Sequence, residues 1–148
     1  FDGSDVGLST ATEKIDALAR RSDGVLLIST SGAATVKSGN LNVKAQDEDL
    51  LAFAFTTPGA TTTGTWQPTL ALDGSTLSGM AVENVTAAWR DSGSGDLYLT
   101  VTNNFTIKGV SGTNRTILSV SPTGNVAIYW DVSAADFTGE VDGLHIVR

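Results

Sequence analysis

Residues 13–20 read EKIDALAR, and seventy residues later residues 83–90 read ENVTAAWR. Glutamate, alanine and arginine recur in register, and isoleucine is matched by valine. Three further pairs of blocks follow in the same order: 24–28 with 95–99, 35–37 with 106–108, and 47–53 with 114–120. Four matched blocks in one order predict an internal repeat, each copy being one supersecondary unit.

The offset between the copies is 70 residues at the first block, 71 at the next two and 67 at the last. We therefore expect a four-residue insertion in the first copy, near 38–44. A partial third copy follows, because WDV at 130–132 and VDGL at 141–144 repeat earlier motifs. We predict one domain made of unit one (1–71), unit two (72–131) and a partial third unit (132–148). Since the chain begins inside a motif, we expect a longer precursor.

Alternating side chains predict the secondary structure. Leu97, Leu99 and Val101 alternate with more polar residues, as in a strand with one buried face. Glycine- and aspartate-rich clusters separate such runs. The predicted strands are 15–21, 24–31, 50–57 and 66–72 in unit one, 84–90, 96–102, 115–121 and 126–131 in unit two, and a ninth at 141–147. The predicted fold is all-β: two tandem four-stranded antiparallel repeats plus a ninth strand, packed as a sandwich or barrel. Propeller-like blades are the alternative.

One segment also has a helical pattern. Thr10 and Glu13 are spaced as in a capping box, and the apolar residues after them could form a helical stripe. The repeat favours a strand, because the second copy carries Val85 and Trp89 and the third contains Gly143. We therefore predict a strand from Ile15 to Arg21.

Composition excludes several classes of function. The net charge is −7 and no basic patch is visible, so nucleic acid and anionic membranes are not expected partners. No apolar run is long enough to span a bilayer, so membrane insertion is not expected. The absence of cysteine excludes disulfides, thiolate zinc sites and thiol catalysis. An acidic chain suits an extracellular protein or one that collects divalent cations.

The acidic residues of unit one are the best candidates for a metal site. Calcium takes six to eight oxygen ligands, often carboxylates and loop carbonyls. The other interpretation is that these are solvated turn carboxylates at strand ends. The candidate calcium ligands are Asp2, Asp5, Asp16, Asp47, Glu48 and Asp49.

The tryptophans and the single histidine are the other candidates. Trp66 follows a threonine-rich turn and is expected to be the most exposed tryptophan, and so the one to bind a ligand, whereas Trp89 and Trp130 are expected in the core. His145 lies between Leu144 and Ile146 in the ninth predicted strand, without a nucleophile motif. We therefore expect no catalytic site and predict that the chain is not an enzyme.

Several motifs resemble repeats of large secreted proteins from Gram-negative bacteria and Chloroflexi. They are FDGSDVGL at 1–8, KIDAL at 14–18, GDLYLT at 95–100, GVSG at 109–112 and QDEDL at 46–50. The resemblance implies an extracellular or cell-surface setting and a modular architecture. Unit two departs from the pattern, because NRT at 114–116 replaces the acidic triplet.

We expect an extracellular structural or adhesive β module. Its terminal segments either pair within the chain or add to the sheet edges of another copy, which would give a filament or a ring. The alternative is a carbohydrate- or calcium-binding module of a larger secreted protein, with surface glycans as partners.

Overall fold

A computed structural model describes residues 1–131 and 138–147 of the chain. The fold is all-β, as predicted, with two single-turn 3₁₀ helices at Ser4–Val6 and Gly74–Thr76. None of the described helices is long and apolar enough to cross a membrane. The strands of unit one are β1 (Ile15–Arg20), β2 (Leu26–Thr30), β3 (Ala34–Ser38), β4 (Leu41–Ala45), β5 (Leu51–Thr57) and β6 (Thr63–Trp66). Those of unit two are β7 (Val85–Arg90), β8 (Leu97–Val101), β9 (Phe105–Ile107), β10 (Val110–Gly112), β11 (Thr116–Val120) and β12 (Val126–Asp131).

Each unit forms one four-stranded antiparallel sheet and one two-stranded hairpin. Sheet 1 has the order β1-β2-β5-β6, and sheet 2 has the equivalent order β7-β8-β11-β12. Hairpin 1 is β3-β4 and hairpin 2 is β9-β10. The tandem four-stranded repeats are confirmed, and the described sheets do not close into a barrel.

The strand registers agree with the alignment of the two copies. Leu26 pairs with Phe53 in sheet 1, and Leu97 pairs with Val120 in sheet 2. Leu26 and Leu97, in β2 and β8, are 71 residues apart, and Phe53 and Val120, in β5 and β11, are 67 apart. The matched blocks of the sequence have the same offsets. Side chains at equivalent positions therefore point to equivalent faces of the two sheets.

The hairpins account for the insertion and were not predicted as strands. Hairpin 1 has strands of five residues each and hairpin 2 has strands of three each, so the strands of hairpin 1 contain four more residues. Short strands that pair locally leave little period-two signal. The expected insertion near 38–44 is thus an extension of the hairpin.

Each four-stranded sheet has two faces, which we name by their position relative to the hairpin of the same unit. The hairpin face packs on the hairpin of its own unit, and the open face is the opposite side. In sheet 1 the hairpin face forms a core within unit one, built from Leu8, Leu26, Ile28, Ala34, Val36, Val43, Ala45, Leu51, Phe53 and Trp66.

A second core joins the two units. The open face of sheet 1 contributes Ala17, Ala19, Leu27, Leu50 and Ala52. The hairpin face of sheet 2 contributes Ala88, Leu97, Leu99, Leu118 and Val120, and hairpin 2 adds Phe105 and Ile107. The units therefore stack with the open face of one against the hairpin face of the next, and the edge strands β1 and β7 lie side by side. We call this contact the joint.

The strand predicted at 66–72 is wrong in its position, because β6 ends where that strand was expected to begin. Gly64 pairs with Phe55 inside β6 instead of forming a turn. A Cβ there would lie 2.6 Å from Cζ of Phe53 and closer still to the carbonyl oxygen of Ala54. The glycine serves close packing in a strand. Beyond β6 the Gln67 N–H still donates to the Ala52 carbonyl of β5 at 2.8 Å, and an isolated bridge joins Leu50 and Leu72.

The ninth strand predicted at 141–147 is also not formed, since these described residues have no strand assignment. The strand predicted from Ile15 is confirmed as β1. The capping-box contact nevertheless exists, because the N–H of Thr10 donates to the Glu13 carboxylate at 2.8 Å. It closes a turn before a strand, so the pattern does not by itself specify a helix.

Candidate functional site

Asp2 and Asp5, two of the predicted calcium ligands, lie beside the same loop residue, Thr62. The N–H of Asp2 donates to the Thr62 hydroxyl at 2.8 Å, and the N–H of Thr62 donates to the Asp5 carboxylate at 2.7 Å. The Ser4 hydroxyl and N–H donate to the Asp2 carboxylate and lower its pKa. These contacts hold the N-terminal segment against the loop that precedes β6.

Asp16 and Asp47 form a second group at the joint. Both carboxylate oxygens of Asp16 are buried without a hydrogen-bond partner. This burial raises the pKa of Asp16, and the Asp47 carboxylate adds to the increase. The side chain of Asn84 offsets part of this pKa increase, although it forms no hydrogen bond with the Asp16 carboxylate. The Asp47 carbonyl accepts the N–H of Val85 at 2.9 Å, which links the two units.

Glu48 and Asp49 form the third group, where unit one meets the start of unit two. The Asp49 carboxylate accepts the N–H groups of Gln46 and Gly74, both at 2.8 Å. Burial raises the pKa of Glu48 and of Asp49, and neighbouring carboxylates add to it. A Cβ on Gly74 would lie 2.5 Å from the Glu48 carbonyl oxygen, so only glycine fits there.

The structure thus distributes the six predicted ligands over three places. Within the described ranges 1–131 and 138–147, no three acidic or histidine side chains are grouped so that they could hold a metal ion. In two of the three places the carboxylates accept backbone N–H groups. Calcium binding stays a prediction from the sequence.

Trp66 is not exposed as expected. Its side chain is 5% exposed, its ring packs on Phe53 at 4.8 Å, and its Nε1–H donates to the Val6 carbonyl at 2.8 Å. Ligand binding by Trp66 stays a prediction, but the exposure on which it was based is absent.

Aromatic side chains instead line the open face of sheet 2. The ring of Tyr98 lies 5.5 Å from that of Trp89 and 4.6 Å from that of Tyr129. Near one end of the sheet, Trp130 on β12 pairs with Ile117 on β11. A register shift interrupts the pairing of these two strands next to this pair. Tyr129, at this irregularity, therefore lies on the same face as Trp130.

The segment 138–147 covers part of this face without pairing as a strand. The Val141 carbonyl accepts the hydroxyls of Thr100 at 2.8 Å and Thr86 at 3.3 Å. The ring of His145 meets that of Trp89 edge-on at 6.5 Å. Tyr129 and Trp130 lie beyond this cover and are 45% and 54% exposed.

Around them is a cavity of about 490 Å³, lined by Ile117, Tyr129, Trp130, Leu144, His145, Ile146 and Val147. We call these residues the β12 patch. The sequence did not reveal the patch, because Trp130 lies in a short apolar strand, where tryptophan is usually buried. The sequence does align Trp130 with Leu72, a residue whose environment depends on the following unit, and this alignment was the available signal for the patch.

No family model, curated protein or solved structure matches the chain. The joint and the β12 patch are the two features of the described residues that bear on function.

Proposed function

We propose that the chain is a structural or adhesive β module that works outside the cell and self-associates. The observation that carries the proposal is the joint, in which the open face of one unit is buried by the next. Leu27 and Leu50 on the open face of sheet 1 have no solvent exposure. Burial of this kind stabilises a stack in proportion to the apolar area removed from water.

The open face of sheet 2 supports the self-association. Its equivalent in sheet 1 is covered by a whole unit, whereas the described cover of sheet 2 is the single segment 138–147. Exposed aromatic rings at the end of a sheet are typical of a surface that meets another macromolecule. The acidic composition supports the extracellular setting.

The test is the solution mass of the chain by light scattering on a sizing column, over a wide range of concentrations. The proposal expects a mass above the 15.3 kDa of one chain, rising with concentration. A mass of one chain at every concentration would contradict self-association, and with it the proposed function.

A further inference from the structure

We infer that the β12 patch is an interface between two copies of this chain, packed patch against patch about a two-fold axis. The inference rests on the proposed self-association and names the surface that mediates it. Three observations carry it: the exposure of the patch, its lack of charge, and its place in the repeat.

Exposure is concentrated in three apolar side chains of the patch. Tyr129 and Trp130 are about half exposed, and Val147 is 84% exposed. Leu144 and Ile146, which line the same cavity, are partly buried, and Ile117 is buried. Aromatic side chains around an apolar depression are the usual anchors of protein interfaces.

Charge selects a second copy as the partner. The chain carries a net charge of −7, so two copies repel one another over most of their surfaces. The residues lining the patch include no aspartate, glutamate, lysine or arginine. Two copies therefore approach with the least repulsion when patch meets patch, and a patch that faces itself needs a two-fold axis.

The position of the patch continues the joint. Trp130 pairs with Ile117 as Leu72 bridges to Leu50, so the two pairs are equivalent in the repeat. Leu50 is fully buried in the joint and Leu72 is packed against it. Trp130, at the equivalent place on unit two, is 54% exposed.

A sugar is the other ligand that exposed aromatic rings can bind. Sugar sites usually combine such rings with carboxylate, amide or guanidinium groups that bond to hydroxyls. The lining of the patch offers only the His145 ring, the Tyr129 hydroxyl and the Trp130 indole N–H as side-chain polar groups. The patch therefore fits an apolar partner better than a glycan.

The experiment uses the full chain and two variants of one residue, Trp130→Lys and Trp130→Glu. Each places like charges opposite one another in a two-fold contact, and we expect each to raise the dimer Kd by about tenfold or more. An equimolar mixture pairs lysine with glutamate, so we expect the mixture to recover the dimer mass. Val82→Lys and Val82→Glu are the matched controls, because Val82 is 80% exposed outside the patch, and both should associate like the unaltered chain.

The outcomes separate the two proposals. If the unaltered chain is monomeric, the proposed function fails and this inference fails with it. If the chain associates but both Trp130 variants associate equally well, self-association stands and the patch is the wrong surface. If the variants are monomeric and their mixture stays monomeric, the patch meets a different surface, which overturns the two-fold contact. Saturable quenching of tryptophan fluorescence by oligosaccharides, lost in Trp130→Lys, would assign the patch to glycans.

Discussion

Glu13 and Glu83 occupy the same position in the two units, yet their surroundings shift their pKa values in opposite directions. The Glu13 carboxylate accepts the N–H groups of Ser9 and Thr10 at 2.9 and 2.8 Å, and these backbone hydrogen bonds lower its pKa. Glu83 is 5% exposed, its Oε2 atom is buried without a hydrogen-bond partner, and burial raises its pKa.

We expect Glu13→Gln and Glu83→Gln to change stability with opposite signs at pH 7. Glu13→Gln should lower the free energy of unfolding by about 1–3 kcal/mol, since a neutral amide oxygen accepts these N–H groups less strongly than a carboxylate does. Glu83→Gln should raise it, because an ionised buried carboxylate is removed. Urea unfolding of each variant measures both effects.

The pH dependence follows from the same shifts. A lowered pKa stabilises the fold above the unfolded value, and this contribution is lost as the pH falls through the folded pKa. A raised pKa makes the carboxylate costly above the folded value, and the cost disappears as the pH falls below the unfolded value. At about pH 4 both variants should therefore differ less from the unaltered chain than at pH 7. The same sign for both variants at pH 7 would contradict the assignment.

Asp16→Asn should stabilise the chain at neutral pH. The buried Asp16 carboxylate has no hydrogen-bond partner and lies near the Asp47 carboxylate, so its charge costs free energy. The raised pKa of Asp16 means that this gain shrinks as the pH falls toward about 4. Thermal unfolding at several pH values measures the gain, with Asp96→Asn, at a partly exposed position before β8, as the control for loss of an aspartate charge elsewhere. If Asp16→Asn were less stable than the unaltered chain at pH 7, the charge of Asp16 would be stabilised by its surroundings, contrary to this prediction.

Gly64→Ala should destabilise the chain by about 1–3 kcal/mol, the usual cost of overpacking a core. The added methyl group would meet the Phe53 ring and the backbone of Ala54, and the backbone cannot move without disturbing β5. Gly143→Ala is the matched control, because nothing lies within 4 Å of its Cβ position. Chemical unfolding of both variants tests this, and equal stabilities would contradict the packing.

Leu27→Ala tests the joint. Leu27 has no solvent exposure and belongs to the core shared by both units, so its truncation should cost about 2–5 kcal/mol. We also expect one unfolding transition, because the shared core couples the units. Leu41→Ala, in hairpin 1 where Leu41 is 59% exposed, should cost far less.

Single-tryptophan versions of the chain monitor this coupling. One keeps Trp66 in unit one and the other keeps Trp89 in unit two. Coincident fluorescence transitions are expected, and two separated transitions would mean that the units fold independently.

The sequence predicted most of the sheet strands from two signals, the alternation within a strand and the repeat between the two units. Alternation predicted β5 and β8, and the repeat decided between helix and strand at β1. The position of β6 was missed because Gly64 serves packing against Phe53, a contact between distant side chains. From the sequence alone, a glycine that follows several threonines predicts a turn.

The candidate sites were harder to predict because their surroundings are formed by residues distant in the sequence. Trp66 is buried in the core of its own unit, whereas Trp130 is 54% exposed at the β12 patch. The six carboxylates are close in sequence only in part, and no sequence pattern reveals the backbone N–H groups that donate to the carboxylates of Asp5 and Asp49.

Hairpin 1 shows where the fold tolerates added chain. Its four extra residues lengthen both strands equally, and the sheet registers on either side match those of unit two. The turn between Ser38 and Leu41 is therefore a natural insertion point, where evolution or an engineer can display a foreign peptide while leaving the stacked sheets intact.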